Sequence, residues 1–262
     1  MPEGDTVWRS ARRLDEALTG QTLTRGDLRV PHLATTDLSG ARVVATLARG
    51  KHLLTRLDLA GTAMTLHTHL KMEGAWRVLR TGARWPRPAH QARVVLDTGT
   101  TQAVGFSLGI VELLETADEH TVVGHLGPDL LGADWDPAEA VHRLADDPDR
   151  TLHSALLDQR NLAGLGNMYV AELAFLRGHH PETPVRDVDL PRLVTLAHIV
   201  LDQNRHRAVQ ATTGSTRRGD NVWVYRREGR PCRRCGTTIE VGMLGDPGRE
   251  RATYWCPRCQ PA

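Results

Sequence analysis

The sequence predicts an α+β fold: an N-terminal helix with an antiparallel β-sandwich, then a helical segment that ends in a β-hairpin carrying four cysteines. Three observations predict it. Apolar residues recur at helical spacing over residues 6–18, short apolar runs punctuated by glycine fill residues 22–123, and helical periodicity returns after Asp136, ahead of the cysteines. The expected division is a β-sandwich domain over 1–130, a helical domain over 137–222 and a cysteine hairpin over 223–262.

Val7, Ala11, Leu14 and Leu18 fall at i, i+4, i+7 and i+11, which is one helical face, and Asp5 or Thr6 can cap its start. The next apolar runs (43–44, 52–57, 63–66, 76–79 and 93–96) are separated by Gly50, Gly61, Gly82 and Gly99, the punctuation of short antiparallel strands. Residues 127–136 (GPDLLGADWD) are expected to form a linker. A helix over 137–145 follows, with Asp136 as N-cap and Pro137 at its first position. Further helices are expected over 151–157, 165–176 and 190–203. The polar stretch 212–221 (TTGSTRRGDN) lacks periodicity and is expected to be a mobile loop. From Val222 onward a short strand and the cysteine hairpin are expected.

The 262 residues are 40% hydrophobic and 24% charged, ordinary globular composition. No apolar run approaches the roughly 18 residues of a membrane span. The acidic start, Met1-Pro2-Glu3-Gly4-Asp5, lacks the basic-then-apolar pattern of an export signal, so a cytoplasmic, nucleoid-associated protein without a membrane partner is expected. The net charge of +2 hides an asymmetry. Residues 205–262 hold twelve arginines and no lysine against five acids, a net +7, which points to an anionic partner with nucleic acid foremost. Lys51 and Lys71 are the only lysines in the chain.

Cys232-x2-Cys235, twenty intervening residues, and Cys256-x2-Cys259 form two knuckles that can give four thiolates to one tetrahedral ion. Such a closed set leaves no position for substrate, so one structural zinc ion is expected. Arg249 and Arg251 lie between the pairs, where a stapled hairpin can project them onto phosphates. Residues 156–167 (LLDQRNLAGLGN) end one helix, pass through a glycine-rich turn and start another. Small side chains at such a helix start permit close approach of a phosphate. At the other end of the chain, removal of Met1 exposes the secondary amine of Pro2. An α-amino group titrates near about 7.7–8.0, so a nucleophilic fraction is present at neutral pH. Glu3 beside it can move protons at the same centre.

In order, Pro2-Glu3-Gly4, Arg49-Gly50-Lys51 with His52-Leu53-Leu54, His69-Leu70-Lys71-Met72, the 158–167 turn and the four cysteines resemble the formamidopyrimidine-DNA glycosylase and endonuclease VIII family. The resemblance spans nearly the whole chain. It implies a helix–two-turn–helix domain and a zinc finger, damaged DNA as partner, a monomeric enzyme, and a bifunctional glycosylase and abasic-site lyase of base-excision repair. In this resemblance Pro2 is the nucleophile that attacks C1′, Glu3 the acid/base and Lys51 a phosphate-holding catalytic group. Asn167 and Arg251 would grip phosphates beside the flipped nucleotide, His69 and Tyr225 would touch the backbone, and Met72 would fill the gap left in the base stack. Cys232, Cys235, Cys256 and Cys259 would hold the zinc.

Gly74-Ala75-Trp76-Arg77 is similar to the endonuclease VIII branch, which handles oxidised pyrimidines, and Phe106 lacks the preceding arginines usual in the oxidised-purine branch. Thr6 stands where many relatives carry glutamate. Two alternatives follow from the same residues: an oxidised-purine (8-oxoguanine or formamidopyrimidine) glycosylase, and a non-catalytic zinc-finger DNA-binding protein that needs no free terminus.

Overall fold

The structure is a computed structural model and describes residues 2–262. Its described residues divide into two compact units, 2–125 and 126–262.

The N-terminal unit is a helix on a β-sandwich. Helix α1 (Gly4–Leu18) buries Val7, Ala11, Leu14 and Leu18. It begins two residues before the expected start, because the Glu3 carbonyl accepts from Thr6 N at 2.9 Å and Val7 N at 3.0 Å. Neither Asp5 nor Thr6 is therefore the cap. Asp5 sits inside the first turn, where the helix dipole favours its charge.

Eight strands follow: β1 (Arg25–Leu28), β2 (Arg42–Arg49), β3 (His52–Leu59), β4 (Thr62–His69), β5 (Ala75–Arg80), β6 (Ala92–Asp97), β7 (Thr101–Phe106) and β8 (Ile110–Glu115). They form two four-stranded antiparallel sheets, ordered β1-β6-β7-β5 and β2-β3-β4-β8. The core lies between them and under α1. Leu53, Leu57 and Leu66 of one sheet and Val94, Leu96 and Ala103 of the other pack with Val7, Leu14 and Leu18. A bulge at Val43/Ala45 in β2 leaves Val44 without a register partner, and Val44 is exposed beside the buried Val43. A short helix α2 (Glu119–Val123) closes the unit.

The second unit is helical. Helices α3 (Pro137–Ala145), α4 (Leu152–Leu157), α5 (Asn167–Arg177) and α6 (Leu190–Arg205) surround one apolar core, and a hairpin of β9 (Glu240–Leu244) and β10 (Arg251–Trp255) completes it. Asp136 caps α3 as expected, accepting from Ala138 N at 2.9 Å and Glu139 N at 3.1 Å. Helix α5 is apolar on every side and buried from Asn167 to Phe175, the pattern of a central helix.

Residues 127–136 are not a linker. Leu130 is buried in the helical core, and Leu130 N and Ala163 N donate to the Ala163 and Pro128 carbonyls at 3.2 and 2.9 Å. Gly127 is required there, since a Cβ would lie 2.4 Å from the Arg160 carbonyl oxygen. Among the described residues no helix is long and apolar enough to cross a membrane.

Candidate functional site

Pro2, half-buried, and Glu3, fully buried, lie at the start of α1. Near them Arg9 donates to Asp5 Oδ2 at 2.9 Å and to Thr6 Oγ1 at 3.0 Å, so the hydroxyl at position 6 joins an arginine–aspartate pair. Lys51 occupies the two-residue turn between β2 and β3, which closes at the Arg49–His52 pair. Gly50 takes φ +56° there, a left-handed conformation that glycine adopts without strain.

His69 ends β4, and its Nδ1 accepts from Lys71 N at 2.9 Å. A neutral His69 therefore carries its proton on Nε2 and can donate to an anion. Burial first, then the Lys71 and Lys51 charges, hold its pKa down at about 4. Met72 is 58% exposed, so its side chain is not part of the core.

In the second unit the 158–166 turn is braced by side chains whose roles no sequence spacing marks. Gln159 Nε2 donates to the Leu157 and Leu165 carbonyls, both at 2.9 Å, and its Oε1 accepts from Gly164 N at 3.1 Å, so one amide staples both ends of the turn. Asp158 accepts from Arg160 and Arg150, and these guanidinium partners hold its carboxyl well below the usual range. Arg150 also reaches Asp246 at 2.9 Å, tying the turn to the tip of the hairpin.

Asn167, the first residue of α5, is buried. Its Nδ2 donates to the Ala252 carbonyl at 2.8 Å, while His153 Nε2 lies 3.3 Å from Asn167 Oδ1 and 2.8 Å from Thr253 Oγ1. Asn167 is thus hydrogen-bonded to the strand that Arg251 starts. Arg251 starts β10 on the wall of a cavity of about 150 Å³ that it shares with Arg150, Ser154, Asp158, Asp246 and Arg249.

The short strand expected at Val222 does not form. Residues 223–225 turn their backbone inward instead. Trp223 N donates to Glu172 Oε2 at 2.7 Å, and Val224 N and Tyr225 N donate to Oε1 at 2.8 and 2.9 Å. The Thr212 hydroxyl also donates to Oε2. Both stems of the 212–221 loop are therefore fixed at one buried carboxylate. Burial pushes the Glu172 carboxyl above its usual range, and the donors pull the other way. A lone acid in an otherwise apolar helix was the signal available in the sequence. Tyr225 packs edge-on against Tyr254 of β10, with ring centroids 5.4 Å apart.

The sulfurs of Cys232, Cys235, Cys256 and Cys259 all lie within 4.8 Å of one another, with Cys232–Cys259 at 4.0 Å and Cys235–Cys256 at 3.4 Å. A tetrahedral ion with metal–sulfur bonds of about 2.3 Å sets sulfurs about 3.8 Å apart, so the four thiols fit one metal ion. They share an apolar cluster with Ala171 and Phe175 of α5, Val224, Ile239 and Tyr254, which joins the hairpin to the central helix.

A sandwich whose N-terminal helix presents a proline and a buried glutamate, together with a braced helix–turn–helix beside a four-thiol hairpin, defines a class of DNA-processing enzymes. Comparisons place it more closely. The formamidopyrimidine-DNA glycosylase N-terminal domain matches residues 1–107, and the formamidopyrimidine-DNA glycosylase H2TH domain matches residues 126–218. A probable endonuclease 8 2 of Streptomyces coelicolor is 54% identical, covering 99% of this chain and 94% of its own length. A DNA-(apurinic or apyrimidinic site) lyase Nei2 of Mycolicibacterium smegmatis is 52% identical with full coverage of both chains. The Lactococcus lactis Fpg bound to DNA containing an abasic site shares the fold over both whole chains, with a TM-score of 0.81 and 25% identity. The chain belongs to the formamidopyrimidine-DNA glycosylase and endonuclease VIII family.

Proposed function

We propose that this protein is a bifunctional DNA glycosylase and abasic-site lyase of base-excision repair that removes oxidised pyrimidines. The observation that carries the reading is Pro2 beside the buried Glu3 at the head of α1, in a chain whose full-length relatives are named as an endonuclease 8 and an abasic-site lyase. Extrusion of the damaged nucleotide costs a few kcal/mol, least for a damaged pair, and brings C1′ within reach. The Pro2 nitrogen attacks C1′ as Glu3 manages the proton of the opening sugar, the base departs, and an iminium links Pro2 to C1′ of the deoxyribose. Elimination then breaks the C3′–O bond and next the C5′–O bond, leaving a one-nucleotide gap with phosphates at both ends.

Lys51 and His69 on the first unit, and Asn167, Tyr225 and Arg251 on the second, are the proposed backbone contacts. The exposed Met72 is the proposed wedge, which would stabilise the kinked duplex. One structural zinc ion on the four cysteines would hold the hairpin, and the enzyme would act as a monomer. Preference for pyrimidines is supported by the endonuclease 8 relatives and by Phe106, which is buried against Trp85 and lacks the arginines expected for contacts to the base opposite an oxidised purine.

The test is cleavage of duplex oligonucleotides that each carry one defined lesion. Strand scission at oxidised pyrimidines and at an abasic site is expected. Scission at 8-oxoguanine alone would move the chain to the purine branch, and binding without any scission would make it a non-catalytic DNA-binding protein.

A further inference from the structure

Strand register places His52, His69, His67 and Glu112 on one face of the second sheet. His52 pairs with His69, His67 pairs with Glu112, and His52 and His67 meet diagonally across β3 and β4. Both ring nitrogens of the buried His67 are engaged. Nδ1 lies 2.8 Å from Glu112 Oε2, and Nε2 lies 2.8 Å from His52 Nδ1. The His52 and His67 rings lie nearly parallel, with centroids 5.1 Å apart at 17°, and His52 meets His69 edge-on at 4.9 Å. His125 closes the group at 6.2 Å.

A carboxylate only accepts, so with His67 neutral its proton sits on Nδ1 and points at Glu112. His67 Nε2 must then accept, which places the His52 proton on Nδ1 as well. We propose that Glu112, His67 and His52 form a hydrogen-bonded positioning chain, which fixes the tautomer and orientation of the imidazoles packed behind His69 and so aims the His69 Nε2–H between the chain's two lysines at a DNA phosphate.

Three further observations support it. His69 feels the charges of both Lys51 and Lys71. The surrounding positive groups, and burial before them, hold His52 uncharged, with its pKa down at about 3. The Lys71 N–H into His69 Nδ1 fixes the same ring from the other side. A neutral ring locked from two directions gives a donor of fixed aim, and small errors of aim at a reacting centre are costly in rate.

The proposal rests on the lyase reading above, and its test separates the two. Glu112 is at the end of the chain and its side chain is 48% exposed, so Glu112→Gln is expected to fold with unchanged melting temperature, and Glu112→Leu to fold with a lowered one because the buried His67 N–H loses its acceptor. Long-range 1H–15N NMR of the full-length protein reads the imidazole tautomers without DNA. His52 and His67 are expected as Nδ1–H in the wild type and in Glu112→Gln, whose carboxamide oxygen still accepts. In Glu112→Leu the tautomers should be mixed, and single-turnover cleavage of an abasic-site duplex about tenfold slower. A wild-type His52 protonated at Nε2, tautomers unmoved in Glu112→Leu, or an unchanged rate in that variant would each overturn the positioning chain while the wild type still cleaves. A wild type that cleaves no abasic DNA overturns the lyase reading, and the chain's role in it.

Discussion

Asn167 Nδ2 donates to the Ala252 carbonyl at 2.8 Å, so the residue that opens the central helix is bonded to the finger strand. The proposed phosphate contact on the helix and the proposed contact on the hairpin, Arg251, are thereby set in one register before any DNA arrives.

Breaking that bond should cost both stability and binding. Asn167→Asp keeps the shape but places an acceptor against a carbonyl, so a loss of about 1–3 kcal/mol is expected, the cost of unsatisfied buried polar groups. Thermal melts read the stability. Titration against a duplex with an uncleavable abasic analogue should show weaker affinity, and an affinity equal to wild type would show that the contact does not organise the surface.

Glu172 is expected to govern the 212–221 loop. Glu172→Gln sets an amide N–H₂ among three backbone N–H groups and a hydroxyl, all donors. Faster amide hydrogen exchange at residues 212–225 is expected, with destabilisation of about 1–3 kcal/mol. Unchanged exchange would show that the loop is held elsewhere.

Acid should unfold the N-terminal unit earlier than its carboxylates alone would. An unfolded histidine titrates near about pH 6.5, whereas burial holds His52 at about 3 and His69 at about 4. Between those limits the unfolded chain binds protons that the folded chain refuses, so stability rises with pH and is lost as pH falls from about 6.5 towards 4. Calorimetric melts across that window should show the decline, and His52→Phe should flatten it. A variant with the wild-type slope would contradict the assignment.

Removing the proposed zinc ion should melt the hairpin selectively. One zinc equivalent per chain is expected on release with a thiol-reactive reagent, with Asn167, Tyr225 and Arg251 losing their common support. A chelated protein should keep the sandwich and lose DNA affinity. Retained affinity in Cys235→Ser would place binding outside the finger.

Much of this was legible in the residues because it depends on local spacing. The α1 face, the Asp136–Pro137 start and the paired cysteines each follow from a short pattern that survives packing. What was missed depends on distant partners. The apolar runs did not separate β1, β7 and β8: β7 (TQAVGF) is buried along nearly its whole length and so does not alternate, and β8 (IVELLE) owes its place to pairing with β4 across forty residues of chain. The 127–136 stretch has linker composition, yet its Leu130 belongs to the helical core. Glu172 and the Glu112–His67–His52 chain stayed unseen because no spacing announces a hydrogen bond between strands or across 51 to 53 residues.

The central claim is that the Pro2 nitrogen bonds to the deoxyribose of the damaged nucleotide, and borohydride trapping tests it most directly. Mature protein mixed with abasic-site DNA and reduced during turnover should yield one covalent adduct, with the linked sugar mapped by peptide mass spectrometry to Pro2. Chemical blocking of the terminus should abolish it. An adduct mapped to Lys51 or any other residue, or undiminished trapping by the blocked protein, would contradict the account.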